Sequence, residues 1–205
     1  MRDLWDKPWF SVLTKLTYSA YLNILWLICS LPIFTIGAST SALLYASMKL
    51  HDKEGYVTSN FFSSFKENFK QATEIWLIYL VIGILLGFDF VMGNQAKDTL
   101  GVCMQGAAMI LAIPYFLSLL YVFGVQSRFV NPVKDTIRYS FFMALRNMKC
   151  TIQMAILMIL LVWANTTVLL VNFLTLVYGF GLMGYFFAAY YKKAFGKYLN
   201  PEENS

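Results

Sequence analysis

The sequence predicts an all-α membrane protein, a polytopic transmembrane helical bundle of about six spans with amphipathic cytoplasmic connecting helices. Three uncharged stretches predict it: 42 residues between Lys149 and Lys192, 33 residues over 16–48 and 29 residues over 99–127. At about 1.5 Å of rise per residue, the longest makes about 63 Å of helix, roughly twice the thickness of a bilayer core. It therefore predicts two crossings joined by a tight turn.

The composition supports one membrane domain covering 1–205. Of the 205 residues, 59% are hydrophobic and 13% are charged, and the mean hydropathy is +0.58. Soluble domains have about 25% charged residues. The net charge of +5 comes from basic residues between the apolar stretches, where the positive-inside rule places them. We therefore expect the lipid bilayer as the surroundings and no nucleic acid as a partner.

The N-terminal part is predicted to contain an interfacial segment, 1–15, and a broken pair of spans, 16–50. A single straight span over 16–48 would exceed the bilayer by about 20 Å, and the break falls at Pro32, Thr35 and Gly37. Two interpretations stay open. The stretch forms either two short spans, 16–31 and 36–50, with an outward turn, or one span and a re-entrant half-helix.

The rest of the chain alternates helical connections with span pairs. Length and apolarity predict two cytoplasmic amphipathic helices, over 51–71 and 127–151, and a cytoplasmic tail over 192–205. Two spans are predicted within 72–126, at 72–92 and 102–125. Two more are predicted within 152–191, at 152–171 and 173–191, with a turn at 172–174.

The basic residues predict the orientation. With an even number of crossings, fifteen of the sixteen lysines and arginines lie on one side and Lys97 alone on the other. The positive-inside rule then places both termini in the cytoplasm and the 93–101 connection outside. Re-entry over 16–50 gives the same parity, so charge leaves both interpretations of that stretch open.

Both connecting helices have an apolar stripe and a basic side. In 58–72 the stripe is Phe61, Phe65 and Phe69; in 131–149 it is Ile137, Phe141, Leu145 and Met148. Each helix lies in the headgroup layer, held by aromatic residues and anionic lipid, or docks a cytoplasmic partner. The candidate docking residues are Phe65, Lys66, Phe69, Lys70, Arg138, Phe141, Arg146 and Lys149.

Residues with catalytic chemistry are sparse. The sequence has no Walker A loop, HExxH, GxSxG or Cys/His cluster, so we expect no enzymatic activity, no cofactor and no metal. Glu74 and Asp89 are expected to mark the ends of the third span. Asn23 and Asn165 are among the few polar residues in the spans, and Asn165 forms a cluster with Thr166 and Thr167. This cluster either bonds neighbouring helices or lines a polar path.

A family resemblance rests mainly on residues 22–80. Three segments resemble the YesL family: the run from Asn23 to Trp26, the segment Leu31-Pro32-Ile33-Phe34-Thr35-Ile36-Gly37-Ala38, and the later run from Gly55 through Phe61–Ala72. These are small integral membrane proteins of bacteria. The resemblance implies a multi-pass protein of the bacterial cell membrane, associated with ABC-type carbohydrate importers. It implies no catalytic residues.

The resemblance and the architecture together favour an accessory or permease-like subunit of an ABC-type carbohydrate importer. Its permease and ATPase subunits would be the partners, although the EAA-type motif of permeases is absent. Two alternatives are a membrane regulator or scaffold without transport activity and an autonomous small transporter. The sugar and the oligomeric state stay open.

Overall fold

A computed structural model describes residues 8–96, 99–167 and 169–199. The predicted interfacial segment 1–15, the connection around Lys97 and the predicted tail 192–205 therefore lie partly outside the described residues.

The described elements are all helical, which confirms the all-α class. In chain order they are α1 (Pro8–Cys29), a 3₁₀ turn (Ile33–Thr35), α2 (Ile36–Asp52), α3 (Val57–Gln95), α4 (Thr99–Arg128), α5 (Val133–Arg146), α6 (Met148–Thr167), α7 (Leu169–Leu174), a π-helical turn (Thr175–Gly179) and α8 (Phe180–Leu199).

Four helical segments are long and apolar enough to cross a membrane. They are Val57–Gln95, Thr99–Arg128, Met148–Thr167 and Val171–Gly196, and they contain most of the last four predicted spans. The membrane character of the chain is confirmed at this level. Helix α2 has 17 residues, or about 25 Å, which is shorter than the hydrocarbon core of about 30 Å.

The first amphipathic connection and the third span form one helix. Helix α3 runs for 39 residues, or about 58 Å, where the sequence predicted a separate helix over 51–71 and a span beginning at 72. No glycine or proline occurs between Val57 and Ile82, so nothing interrupts the hydrogen-bond ladder where polar sequence gives way to apolar sequence. His51 and Asp52 instead belong to the end of α2.

The last hairpin does not turn where the sequence predicted. Residues 172–174, the predicted turn, are helical and belong to α7. The hydroxyls of Thr166 and Thr167 donate to the carbonyl of Trp163 at 2.7 and 3.1 Å, within their own helix. Uncharged residues fill this region on both sides, so hydropathy carried no signal for the position of the turn.

Helix α2 lies in the middle of the bundle. It contacts α1, α3, α4 and α8, and most of its residues from Gly37 to Met48 are buried. Small residues permit this. A Cβ added at Gly37 would lie 2.4 Å from the Ala72 carbonyl oxygen and 2.6 Å from the Trp76 Cβ. A Cβ added at Gly184 on α8 would lie 3.0 Å from Leu43 Cγ. The α2 backbone therefore approaches α3 closely at Gly37, and the Leu43 side chain of α2 packs onto the α8 backbone at Gly184.

The turn between α1 and α2 meets α3 where the apolar half of α3 begins. The Trp76 indole N–H donates to the Ile33 carbonyl at 2.8 Å. Trp76 precedes Gln95 by nineteen residues, or about 28 Å of helix. The turn was expected outside, level with the 93–101 connection. Along the axis of α3, the α1–α2 turn and the end of α3 lie apart by about the thickness of the hydrocarbon core.

Replacing Gly37 with alanine tests the close packing around α2. The new methyl group would clash with α3, so we expect a loss of about 1–3 kcal/mol and a lower melting temperature in detergent. Gly87→Ala is the matched control, because an added Cβ there meets nothing within 4 Å. The readout is thermal unfolding followed by size-exclusion chromatography. Equal melting temperatures for both variants would contradict this packing.

Candidate functional site

The charged half of α3 presents one face to the bundle and another to its surroundings. Phe61 is fully buried beside Leu22 and Trp26, and Phe65 packs partly against the same cluster. The opposite face is exposed and carries Phe62, Lys66, Phe69 and Lys70, which we call the α3 strip. The predicted phenylalanine stripe is therefore divided: Phe61 and Phe65 point inwards, whereas Phe69 is 37% exposed.

The predicted apolar stripe of α5 is not its buried face. The predicted apolar stripe leaves Leu145 and Met148 exposed, with Phe141 half-buried; of the four, Ile137 packs against the core. The buried face is made of the small residues Thr136, Ser140 and Ala144. The Ser140 hydroxyl donates to the Thr136 carbonyl at 2.6 Å, so its burial leaves no polar group unpaired.

The physical reason is the membrane. In lipid, an apolar side chain gains little by turning towards protein, whereas small residues let helices approach. An apolar stripe next to membrane spans therefore does not identify the buried face of a helix.

Two of the predicted docking residues on α5 lie along a groove. Arg138 and Arg146 are exposed, as is Lys149, which lies outside the groove. The groove has a volume of about 530 Å³, and we call it the α5 groove; its lining residues are Val125, Phe129, Asn131, Arg138, Tyr139, Phe142, Met143, Arg146 and Tyr198. The guanidinium of Arg146 lies 5.4 Å from the Tyr198 ring centre. This joins α5 to the end of α8.

A buried amide network joins α3, α4 and the loop before α5. Gln126 is 3% exposed, and its Nε2 donates to Asn68 Oδ1 at 3.2 Å and to Gln71 Oε1 at 3.0 Å. The Gln71 side chain in turn donates to the Asn131 carbonyl. Sequence reasoning missed this network. Its signal was the single glutamine near the end of the uncharged 99–127 stretch.

At the break after α1, a hydroxyl satisfies the free backbone groups. The Thr35 hydroxyl lies 2.6 Å from the Cys29 carbonyl and 2.7 Å from the Pro32 carbonyl. It thus covers the end of α1 and the turn that follows. Pro32, Thr35 and Gly37 therefore turn the chain and seat α2 against α3.

In the polar cluster at the end of α6, Asn165 bonds another helical segment, whereas Thr166 and Thr167 bond within α6. The Asn165 amide donates to the Leu161 carbonyl at 2.8 Å and to Thr175 Oγ1 at 3.0 Å, which links α6 to the π-helical turn. Thr166 and Thr167 are exposed and bond within α6. The geometry of Asn165 corresponds to the alternative of a bond between helices.

Asn23 holds the π-helical turn from the other side. Its side chain is fully buried; Nδ2 donates to the Leu176 carbonyl at 2.7 Å, and Oδ1 accepts from the Gly181 N–H at 3.0 Å. A Cβ added at Gly181 would lie 1.9 Å from the Ser19 carbonyl oxygen, so α1 and α8 touch backbone to backbone here. The Asn23 amide therefore bonds the Leu176 carbonyl and the Gly181 N–H, which the wider π-helical turn would otherwise leave unpaired.

The remaining candidate chemical groups are dispersed. Glu74 and Asp89 are exposed on α3. His51 stacks on Tyr185 at 4.0 Å, and its Nε2 lies 2.9 Å from the Tyr185 carbonyl oxygen. Within 8–96, 99–167 and 169–199, no three His, Cys, Asp or Glu residues form a group able to hold a metal ion.

Comparison with known proteins supports the family resemblance. Residues 19–90 match the family described as "Protein of unknown function, DUF624". The chain is also 26% identical over 141 residues to "Uncharacterized protein YesL" of Bacillus subtilis (strain 168), a match that covers 66% of each chain. The two matches support an assignment of the chain to the YesL family.

The match to the DUF624 family covers the part of the bundle around α2. Residues 19–90 include the second half of α1, the break, α2 and most of α3, and therefore also the α3 strip. No solved structure matches the chain.

Replacing Asn23 with leucine tests its part in the π-helical turn. The change leaves the Leu176 carbonyl and the Gly181 N–H without their side-chain partner, at a cost of about 1–3 kcal/mol. We expect faster hydrogen exchange in peptides covering 174–184, measured by mass spectrometry in detergent. Thr167→Val, which removes only bonds within α6, is the control. Unchanged exchange in the Asn23 variant would show that the turn does not depend on this amide.

Proposed function

We propose that this YesL-family protein is an accessory membrane subunit of an ABC-type carbohydrate importer and that it docks a partner subunit through the α3 strip. The observation that carries the proposal is the exposure of two phenylalanines and two lysines on the charged half of α3. Phe62 and Phe69 are 38% and 37% exposed there.

The setting of the strip favours a protein partner over lipid. Lys66, Glu67 and Lys70 exclude this half of α3 from the hydrocarbon, whereas the half after Trp76 is apolar and exposed. Aromatic residues exposed outside the hydrocarbon are typical of protein interfaces. Burial of Phe61 against α1 and α2 fixes the rotation of the helix, so the strip is presented rigidly.

The charge of the strip indicates the chemistry of the partner. Lys66 and Lys70 take no part in the two ion pairs found among the described residues, Lys49–Glu54 and Lys192–Asp52. A complementary surface would offer carboxylates around an apolar pocket. The importer is the assembly that the family resemblance implies, and a permease or ATPase subunit of it would be the contacting chain.

A membrane regulator or scaffold is the second candidate. It is favoured by the close packing on both sides of α2, at Gly37 and Gly184, and by the bonding of Asn23 and Asn165 to other helical segments. Asn165, one of the three residues named for a polar path, is thereby engaged in packing. An autonomous transporter is the third candidate, and the same contacts make it the least favoured.

We further propose a membrane arrangement of four crossings, with the α1–α2 pair re-entrant and the charged ends of the helices in the cytoplasm. The α1–α2 turn exposes Leu31, Ile33 and Phe34 at 79%, 66% and 50%, a surface suited to hydrocarbon. Six crossings would place this apolar turn in water. Both arrangements keep fifteen of the sixteen basic residues on one side.

Charge reversal on the strip tests the docking proposal. Lys66→Glu with Lys70→Glu should reduce co-purification of the importer subunits from mild detergent by about tenfold, because the repulsion removes the complementary contact. The matched control is Lys134→Glu with Lys149→Glu, which makes the same charge change near the two ends of α5. Unchanged co-purification by the strip variant, or an equal loss in both variants, would reject the strip as the contact.

Cysteine labelling tests the arrangement in the membrane. In a background with Cys29, Cys103 and Cys150 replaced by serine, Lys97→Cys should react with an impermeant maleimide in intact cells. Lys193→Cys should react only after permeabilisation. Leu31→Cys separates the two arrangements: four crossings predict no labelling from outside, and six predict strong labelling.

A further inference from the structure

The α5 groove combines apolar walls with a cationic edge. The end of α4 supplies Val125 and Phe129, α5 supplies Phe142 and Met143, and Tyr198 closes the groove from α8. Arg138 and Arg146 lie along it two helical turns apart, or about 12 Å along the axis of α5. The walls thus suit an apolar ligand, and the edge suits an anion.

Both arginines are held in place while their donors stay available. The Arg138 guanidinium lies 5.8 Å from the Phe142 ring centre, and that of Arg146 lies 5.4 Å from the Tyr198 ring centre. A guanidinium over a ring keeps the N–H groups of its edge free for an acceptor. Neither arginine belongs to an ion pair in the part of the chain that the structure describes. Two preorganised cations therefore face the groove.

The surroundings of the groove favour a ligand that is both anionic and apolar. Helix α5 connects two membrane helices, α4 and α6. Next to its arginines α5 exposes Phe142 and Leu145 at 54% and 42%, and Met148, the first residue of α6, is 46% exposed. A soluble anion would leave this apolar surface in water. A phospholipid covers it with acyl chain while its phosphate meets the arginines.

We propose that the α5 groove is a binding site for an anionic phospholipid, with the headgroup phosphate held by Arg138 and Arg146. Phe129, Phe142 and Met143 contact the apolar part of the lipid. Because Arg146 also contacts Tyr198, the bound lipid would join α5 to the end of α8. This site is separate from the α3 strip, and its occupancy does not depend on a partner protein.

The test measures lipid binding by native mass spectrometry. Purified protein in mild detergent is titrated with phosphatidylglycerol, and the wild type is compared with Arg138→Gln plus Arg146→Gln. We expect the apparent Kd of the variant to rise by about tenfold or more, as loss of charge-assisted bonds predicts. Lys134→Gln plus Lys149→Gln makes the same charge change outside the groove, and its Kd should change by less than about twofold. Equal losses in both variants would overturn the site.

Further variants and competitors distinguish the lipid from a soluble anion and from an acidic protein segment. Arg138→Lys plus Arg146→Lys keeps the charge and should retain intermediate affinity, which separates binding from a folding defect. The wild type should bind phosphatidylcholine more weakly than phosphatidylglycerol. The Arg138→Gln plus Arg146→Gln variant should not distinguish the two lipids. Displacement of the lipid by equimolar inorganic phosphate would assign the groove to a soluble anion. Displacement by a hexaglutamate peptide would assign it to an acidic protein segment. Either result would overturn the lipid site.

Discussion

The close approach of α2 and α3 at Gly37 is the contact on which the rest of the bundle depends. With no side chain at this position, the Ala72 carbonyl and the Trp76 Cβ come within 2.4 and 2.6 Å of where a Cβ would be. Trp76 is thereby placed to bond the Ile33 carbonyl and fix the α1–α2 turn. A larger residue would separate α2 from α3 and release the turn, because protein interiors have little free volume.

The position of α2 determines what the bundle presents outside. With α2 seated, Phe61 is buried in the α1–α2 cluster and the opposite face of α3 carries the strip. Further along, Gln126 ties α4 to Asn68 and Gln71 of α3, and Gln71 bonds the loop that leads into α5. The α5 groove therefore rests on a polar network, whereas the α3 strip rests on apolar packing.

How far the sequence could predict this site is shown by particular residues. The spacing of Phe61, Phe65 and Phe69 predicted a helix with one apolar face, and a helix is present. It could not predict that Phe69 would stay exposed, since that depends on where α1 and α2 end. For α5, Arg138 and Arg146 were correctly expected on an outer face. Tyr198 is 52 residues beyond Arg146, and only folding brings it to the groove.

The sequence by itself determined that the chain is helical, that it contains stretches apolar enough to cross a membrane and that its basic residues lie between those stretches. These properties follow from local quantities: uncharged length, helix rise and the cost of burying charge in lipid. Only the tertiary structure decided which face of each helix is inside, that residues 172–174 are helical and how far the α1–α2 turn reaches along α3. Lipid and protein interior are equally apolar, so hydropathy cannot distinguish them. Small residues such as Gly37, Ser140 and Gly181, and single amides such as Asn23, make that choice.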